Sequence, residues 1–176
     1  MMRYIAFLRG INVSGHKIIK MAALKQMFIS MAFHNVVTYI QSGNVVFDSD
    51  IADASFLKMK IETGLKAELG YEVTVIIRTI PELKQIIANN PYHTLKEGDT
   101  RKVGVTFLAG IPAEERANMI LKKSETGDEI SIIDREIYIL YYTFGNSMFT
   151  NTYIEKKLST SGTCRNWATI NKLIEL

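Results

Sequence analysis

An α+β fold built from two similarly ordered units in tandem is predicted by three features of the sequence. Apolar runs of period two alternate with runs of helical period in the order β-α-β-β-α-β across the first half. Two of those runs, "NVVTYI" and "NVVFDS", are joined by the turn "QSGN", which makes their ladder antiparallel. The segment "FLRGI", Phe7 to Ile11, returns as "FLAGI", Phe107 to Ile111, each time where a first strand ends and a first helix is due.

Each element follows from its local pattern. Arg3 to Arg9 is a strand, and Met21, Leu24, Met27, Phe28 and Met31 recur at helical spacing. Gly43 supplies the positive φ that a tight hairpin needs. Leu57, Ile61, Leu65 and Leu69 mark a second helix face, with Asp53 as its N-cap, and Glu72 to Thr79 is the next strand. Pro81 to Ala88 reads as a helix that begins with proline, followed by the polar loop "NNPYHTLKEGDTRK". The pattern then restarts. "KVGVTFLAG" is a strand, Pro112 opens a helix with Ala113, Ala117, Ile120 and Leu121 on its face, and "EISII" and "EIYILYY" form a hairpin around Asp134 and Arg135. Short helices are expected near Asn151 to Leu158 and Arg165 to Ile174.

The βαββα order, with an antiparallel sheet covered on one face by two helices, is the ferredoxin-like arrangement. The expected organisation is therefore a first ferredoxin-like unit over 1–80, a connecting helix and polar loop over 81–102, and a modified second unit over 103–176 whose last strand is replaced by short helices.

Composition narrows the function classes. A chain of 176 residues, 47% hydrophobic and 22% charged, is long enough for one large core or two small ones. A net charge of +3 falls well short of what phosphate neutralisation along duplex nucleic acid demands, although it permits a local basic patch. The single cysteine, Cys164, has no internal partner, as suits a reducing compartment. The apolar run Tyr4 to Leu8 is too short for a signal-peptide core or a membrane span, so a cytoplasmic protein with no membrane partner is expected. No pattern in the sequence sets an oligomeric state.

The stretch "LRGINVSGHKIIK", Leu8 to Lys20, invites comparison with a nucleotide-binding P-loop. Gly10 and Gly15 have the required separation, but His16 follows, Lys17 comes one place late, and Ile18 stands where a hydroxyl must hold magnesium. "VVFD" imitates the second metal-binding strand, yet it lies in an antiparallel hairpin, so Asp48 is expected to be a solvated strand end. A P-loop is excluded by register and by context. The loop nevertheless gathers Arg9, His16, Lys17 and Lys20 ahead of a helix start, where the positive end of the dipole disfavours them. A bound anion would reconcile the two, and a plain solvated loop is the competing reading.

Three segments, "YIAFLRGINVSG", "VVTYIQSGNVVFDS" and "TCRNWATINKL", resemble the signature segments of the family called domain of unknown function 1697. The resemblance runs from Tyr4 to Leu173 and implies a compact bacterial protein of two ferredoxin-like halves. It implies no function and no catalytic residues. It draws attention to Arg9, Gly10, Ile11, Asn12, Val13 and Gly15, to Tyr39, Gln41, Ser42, Gly43 and Asn44, and to Thr163, Arg165, Asn166, Trp167, Thr169 and Lys172. Ser14 departs from the paired glycines usual at that point of the family.

The candidate ligand-binding residues are therefore Arg9, Gly10, Asn12, Gly15, Lys17, Gln41, Asn44, Arg165 and Lys172. Arg165, Thr169 and Lys172 would share one polar face of the last helix, with Thr163 as N-cap and Trp167, Ile170 and Ile174 opposite. No metal site or cofactor is expected, since His16, His34 and His93 lack ligand spacing and Cys164 stands alone. Neither Ser14 nor Ser42 has the context of a nucleophile, and Asp48, Asp50 and Asp53 suit loop and cap roles better than acid catalysis. Whether the protein is an enzyme stays open. The leading expectation is a small anionic, phosphate-bearing ligand at Arg9 to Lys20. The alternative is a module that binds single-stranded nucleic acid or protein without catalysis, using the aromatic run Tyr138, Tyr141, Tyr142, Phe144, Phe149 and Tyr153.

Overall fold

The structure, a computed structural model, describes residues 1–13, 15–93, 101–121, 127–142 and 147–176. Ser14, the 94–100 stretch of the polar loop and Phe144 lie outside the described residues. The elements are β1 (Met2–Leu8), α1 (Met21–Ser30), β2 (His34–Tyr39), β3 (Asn44–Ser49), α2 (Ala54–Leu69), β4 (Val75–Thr79) and α3 (Ile80–Ala88). They continue with β5 (Lys102–Leu108), α4 (Glu114–Leu121), β6 (Glu129–Ile133), β7 (Glu136–Tyr141), α5 (Asn151–Leu158), β8 (Gly162–Asn166) and α6 (Trp167–Leu173). The chain divides into two compact units, Met1–Lys84 with Lys172–Leu176, and Gln85–Asn171.

Each unit holds one four-stranded antiparallel sheet, in the order β2-β3-β1-β4 and β6-β7-β5-β8. The two orders are the same with β5 to β8 in place of β1 to β4, so both units are ferredoxin-like. One expectation is corrected here. The second unit keeps its last strand, because Gly162 to Asn166 pairs with β5 from Leu108 to Gly104, and the helix begins only at Trp167. Thr163 is accordingly a buried strand residue and no cap; the side chain of Asn166 caps α6 by accepting from the Thr169 N–H at 2.8 Å.

The repeat seen in the sequence is a repeat of hydrogen bonds. Leu8 N–H donates to Gly43 O at 2.8 Å and Arg9 N–H to Thr74 O at 2.9 Å. One hundred residues on, Leu108 N–H donates to Arg135 O at 2.9 Å and Ala109 N–H to Ser161 O at 2.8 Å. In both copies the end of the central strand is thus tied to the hairpin turn on one side and to the residue leading into the edge strand on the other. The glycines that follow differ: Gly10 has φ 72°, whereas Gly110 has no positive φ.

The core of the first unit lies between its sheet and helices α1 and α2. Leu24 and Phe28 from α1 and Leu57, Ile61 and Leu65 from α2 bury against Tyr4, Ala6, Leu8, Val45 and Phe47. Asp53 caps α2 as expected, accepting from Ser55 N–H at 2.8 Å and Phe56 N–H at 3.2 Å. In the second unit Ile120, Ile154 and Leu158 from the helices meet Leu108, Ile137, Ile139, Tyr141 and Phe149. The expected face of α4 is narrower than its pattern, since Ala113 and Leu121 are exposed.

Edge strands expose N–H groups that invite a foreign strand. Both units answer in the same way. Glu62 on α2 accepts from Val75 N–H at 2.8 Å, and on α5 Glu155 accepts from Gly162 N–H at 2.9 Å while Asn151 accepts from Cys164 N–H at 3.0 Å. Each charge-assisted bond of this kind stabilises by about 1.5–3 kcal/mol.

Asp48 is no solvated strand end. Its carboxylate accepts from Arg3 Nη1 and Asn35 Nδ2, each at 2.7 Å. Burial works to raise its pKa, but the hydrogen bonds from Asn35 and Arg3 and the charge of Arg3 outweigh that and hold it below the usual aspartate value. A carboxyl depressed in the folded state contributes stability above the unfolded pKa and loses it as the pH falls. Asp48→Asn should therefore lower stability at pH 7 and flatten its decline between about pH 5 and pH 2, as read by urea unfolding at each pH. In the second core, the Thr106 hydroxyl is fully buried and has no hydrogen-bond partner among the described residues. Thr106→Val should raise stability by about 1 kcal/mol, a gain of roughly 2–4 °C in melting temperature by calorimetry.

Candidate functional site

The cationic loop leaves β1 and is held in place by its own polar groups. Ile11 is buried and packs beneath the hairpin turn, where a Cβ on Gly43 would lie 2.7 Å from Ile11 Cδ1 and 2.9 Å from Leu8 Cβ. Gly43 also has φ 78°, so close approach and backbone conformation both require glycine there.

Asn12 then organises the loop. With φ 52°, it donates from Nδ2 to Ile19 O at 3.1 Å and to Gln41 O at 2.8 Å, while its Oδ1 accepts from Ile19 N–H at 2.8 Å. One side-chain amide thereby imitates a strand pairing with Ile19 and ties the loop to the hairpin turn. Within this clamp the chain makes a closed turn, with Asn12 N–H donating to Lys17 O at 3.1 Å and His16 N–H to Val13 O at 2.9 Å. Gly15, at φ 79°, lies inside that turn.

The bond from Asn12 to Gln41 brings the opening loop and the "QSGN" turn together, a convergence the sequence leaves undecided, and two of the three amide candidates, Asn12 and Asn44, serve the fold. Asn12 spends its side chain on backbone groups. Asn44 is fully buried and donates to Tyr39 O and Ser42 Oγ, each at 2.9 Å, which closes the hairpin. Gln41 gives its carbonyl to Asn12, and its side chain is exposed.

The cations are disposed differently. His16, Lys17 and Lys20 are exposed, and Arg9 is half-buried. Lys17 donates to the carbonyl of Glu72 at 2.8 Å and lies 4.9 Å from the centre of the Tyr71 ring. The Glu72 carboxylate is bonded instead to Lys66 at 2.9 Å, and that bond, then the charges of Lys66 and Lys17, hold its pKa below the usual value. Among the described residues neither His16 nor Lys20 forms an ion pair.

The loop runs directly into α1, whose N-cap position is Lys20. No side chain caps that helix, and its first turn contains no acidic residue. By contrast α2 and α5 are capped by Asp53 and Thr150, α6 by Asn166, and α3 by the reciprocal pair Thr79 and Glu82. The first turn of α1 thus has no side-chain acceptor, and His16, Lys17 and Lys20 lie in the segment that leads into it. A cavity of about 340 Å³ opens nearby, lined by Glu62, Thr63, Lys66, Glu72, Val73 and Thr74. Its two carboxylates make it a poor seat for an anion.

The remaining candidates stand on the last strand and the last helix. Arg165 is not on a helix face with Thr169 and Lys172; it lies on β8, 6% exposed, with Nη1 donating to Thr163 Oγ1 at 2.7 Å and Cys164 O at 2.8 Å. Thr169 is buried, and Lys172 is exposed and bonded to Glu175, which raises its pKa. The aromatic run is mostly core: Tyr138, Tyr141 and Phe149 are buried, and Tyr142 is the exposed one among its described members at 65%. Tyr138 donates its hydroxyl to Ile86 O at 2.8 Å. Among the described residues no group of three or more His, Cys, Asp or Glu is placed to hold a metal ion, and no helix is long and apolar enough to cross a membrane.

Tyr71 and Glu72 escaped sequence reasoning because they act through a ring face and a carbonyl. The signal was an aromatic beside a predicted strand start.

Fold and site together define a duplicated α+β protein in which one copy carries a cationic strand-to-helix loop and the other, "AGIPA", does not. The family model described as "Protein of unknown function (DUF1697)" matches residues 1–138, and the chain belongs to that family. It is similar to a solved conserved bacterial protein, SP0830 from Streptococcus pneumoniae, at 20% identity and a TM-score of 0.78, covering 99% of this chain and 97% of that one. At that identity the likeness shows the fold. No curated protein matches the chain.

Asn12→Ala should remove three bonds and place alanine at positive φ, for a loss of about 2–4 kcal/mol in chemical denaturation. Hydrogen exchange should rise at Ile19 N–H, the group that Asn12 Oδ1 accepts from, more than at the strand amides.

Proposed function

We propose that the protein binds a small anionic, phosphate-bearing ligand at the loop Arg9 to Lys20, against the start of α1. The observation that carries this reading is the exposed group His16, Lys17 and Lys20, set at an uncapped helix start with no acidic side chain in the first turn. Cations there oppose the positive end of the helix dipole, and an anion accepting from the free N–H groups would turn that opposition into attraction. Gly10 supports the reading, since no atom lies within 4 Å of where its Cβ would be and its backbone is open to close approach. Gly15 is equally open, and Arg9 and Gln41 are further candidates for contact with the same ligand. The polar atoms of Asn12 hold this geometry in place, so that ligand binding need not order the loop at the cost of affinity.

Inorganic phosphate, pyrophosphate and a set of sugar phosphates titrated into the protein should raise its melting temperature saturably. At about one hundred times Kd the stabilisation would be about 2.7 kcal/mol. The double variant Lys17→Gln, Lys20→Gln should lose most of the shift while keeping its unliganded melting temperature within a few degrees. If no anion moves the wild-type transition, the reading is wrong; an undiminished shift in the variant would relocate the site.

A further inference from the structure

Each sheet has two outer strands, β2 and β4 in the first unit and β6 and β8 in the second. Three of these four carry a device against pairing with a foreign strand. Outer N–H groups of β4 and β8 are bonded to Glu62 in the first unit and to Glu155 and Asn151 in the second. β2 is broken by a register shift between His34 and Val37, where Asn35 stands at φ 46°. Among the described residues β6, the counterpart of β2 in the repeat, shows none of these. It pairs with β7 without a shift, from Glu129 with Leu140 to Ile133 with Glu136, and holds neither proline nor lysine.

The phase of its hydrogen bonds is set from the middle of the sheet. Leu108 N–H donates to Arg135 O, so by alternation Ile137 and Ile139 turn their backbone groups to β5, while Glu136, Tyr138 and Leu140 turn theirs to β6. The residues opposite those three, Ile133, Ser131 and Glu129, are the ones that face β7. Ile130 and Ile132 therefore direct their N–H and C=O groups outward, and among the described residues no side chain or other strand bonds to them. Their side chains are half-buried and pack on the margin of the second core beside Ile137 and Ile139. An unpaired backbone and a half-covered apolar margin thus coincide on one strand.

We infer that β6 is where two molecules of this protein associate, edge to edge and antiparallel, about a two-fold axis at Ser131. A second molecule is the occupant because the outward residues are symmetrical about Ser131: each Ile130 meets Ile132 of the partner subunit, donor to acceptor and isoleucine to isoleucine. All the outward groups of both strands are then bonded, and the two second-unit sheets become one. Charge agrees with this register. Glu129, the only charged residue of the strand and already paired with Arg101 at 2.9 Å, falls opposite Ile133 of the partner subunit, so no like charges face each other along the strands.

Sedimentation equilibrium of the full chain over a range of concentrations should show a reversible monomer–dimer equilibrium. Ser131 faces its own copy across the axis in a non-hydrogen-bonded pair, with Cα atoms about 4.5 Å apart. Ser131→Lys sets like charges opposite each other and should weaken association by about fivefold or more. Ser131 is half-exposed on an outer strand, where lysine is well tolerated, so the melting temperature should stay within a few degrees. In a Cys164→Ser background, Ser131→Cys should form a disulfide-linked dimer on mild oxidation, faster than Ser30→Cys, which is exposed on the first unit. That comparison decides the matter even if the lysine variant folds poorly. A monomer at every attainable concentration overturns the inference. A dimer that Ser131→Lys leaves unchanged, or cross-linking no faster than through Ser30→Cys, places any association elsewhere and overturns it as well.

Discussion

Each unit depends on its first strand being paired on both sides. β1 lies between β3 and β4, and β5 between β7 and β8, so the segment made first is the one that every later strand must find. The last two N–H groups of that pairing, at Leu8 and Arg9 and again at Leu108 and Ala109, fix where the hairpin turn and the edge strand begin. A shift by one residue would put the buried Leu8 or Leu108 on the wrong face of the sheet and break both bonds. This is why "FL-GI" persists in two copies whose surroundings have otherwise diverged.

Divergence is concentrated just beyond that frame. Ile11 is 2% exposed under Gly43, whereas Ile111, at the same place in the repeat, is 74% exposed. In the first copy the chain turns back on itself through Asn12 before entering α1; in the second it passes through Pro112 to α4 without a comparable detour. The added loop carries the cations. Because its internal bonds converge on one amide, its surface can vary without disturbing the sheet beneath.

Much of this was legible in the sequence where the cause is local. The helix face Met21, Leu24, Met27, Phe28 and Met31, the Asp53 cap and the glycine at Gly43 follow from periodicity, side-chain chemistry and turn geometry. β8 was not legible, because "GTCRN" has no apolar alternation and merges into a helical pattern; it is a strand through pairing with β5 and capping from α5. Asn12 is legible as a special residue, but its clamp on the loop is not, since its partners Ile19 and Gln41 are brought to it by the fold. Arg165 was misplaced for the reason that hid β8, and once on the strand its guanidinium turns to neighbouring backbone and hydroxyl oxygens.

Two homologous sheets in one chain face a hazard that a single sheet does not. Tethered copies meet at an effective concentration on the order of millimolar, and a strand from one can compete for the corresponding place in the other. The carboxylates of Glu62 and Glu155 occupy the outer N–H groups of β4 and β8, the strands through which such an exchange would propagate. Each copy therefore covers an outer N–H of its edge strand with a side chain from its own second helix, which makes that edge a poorer template for a strand of its twin.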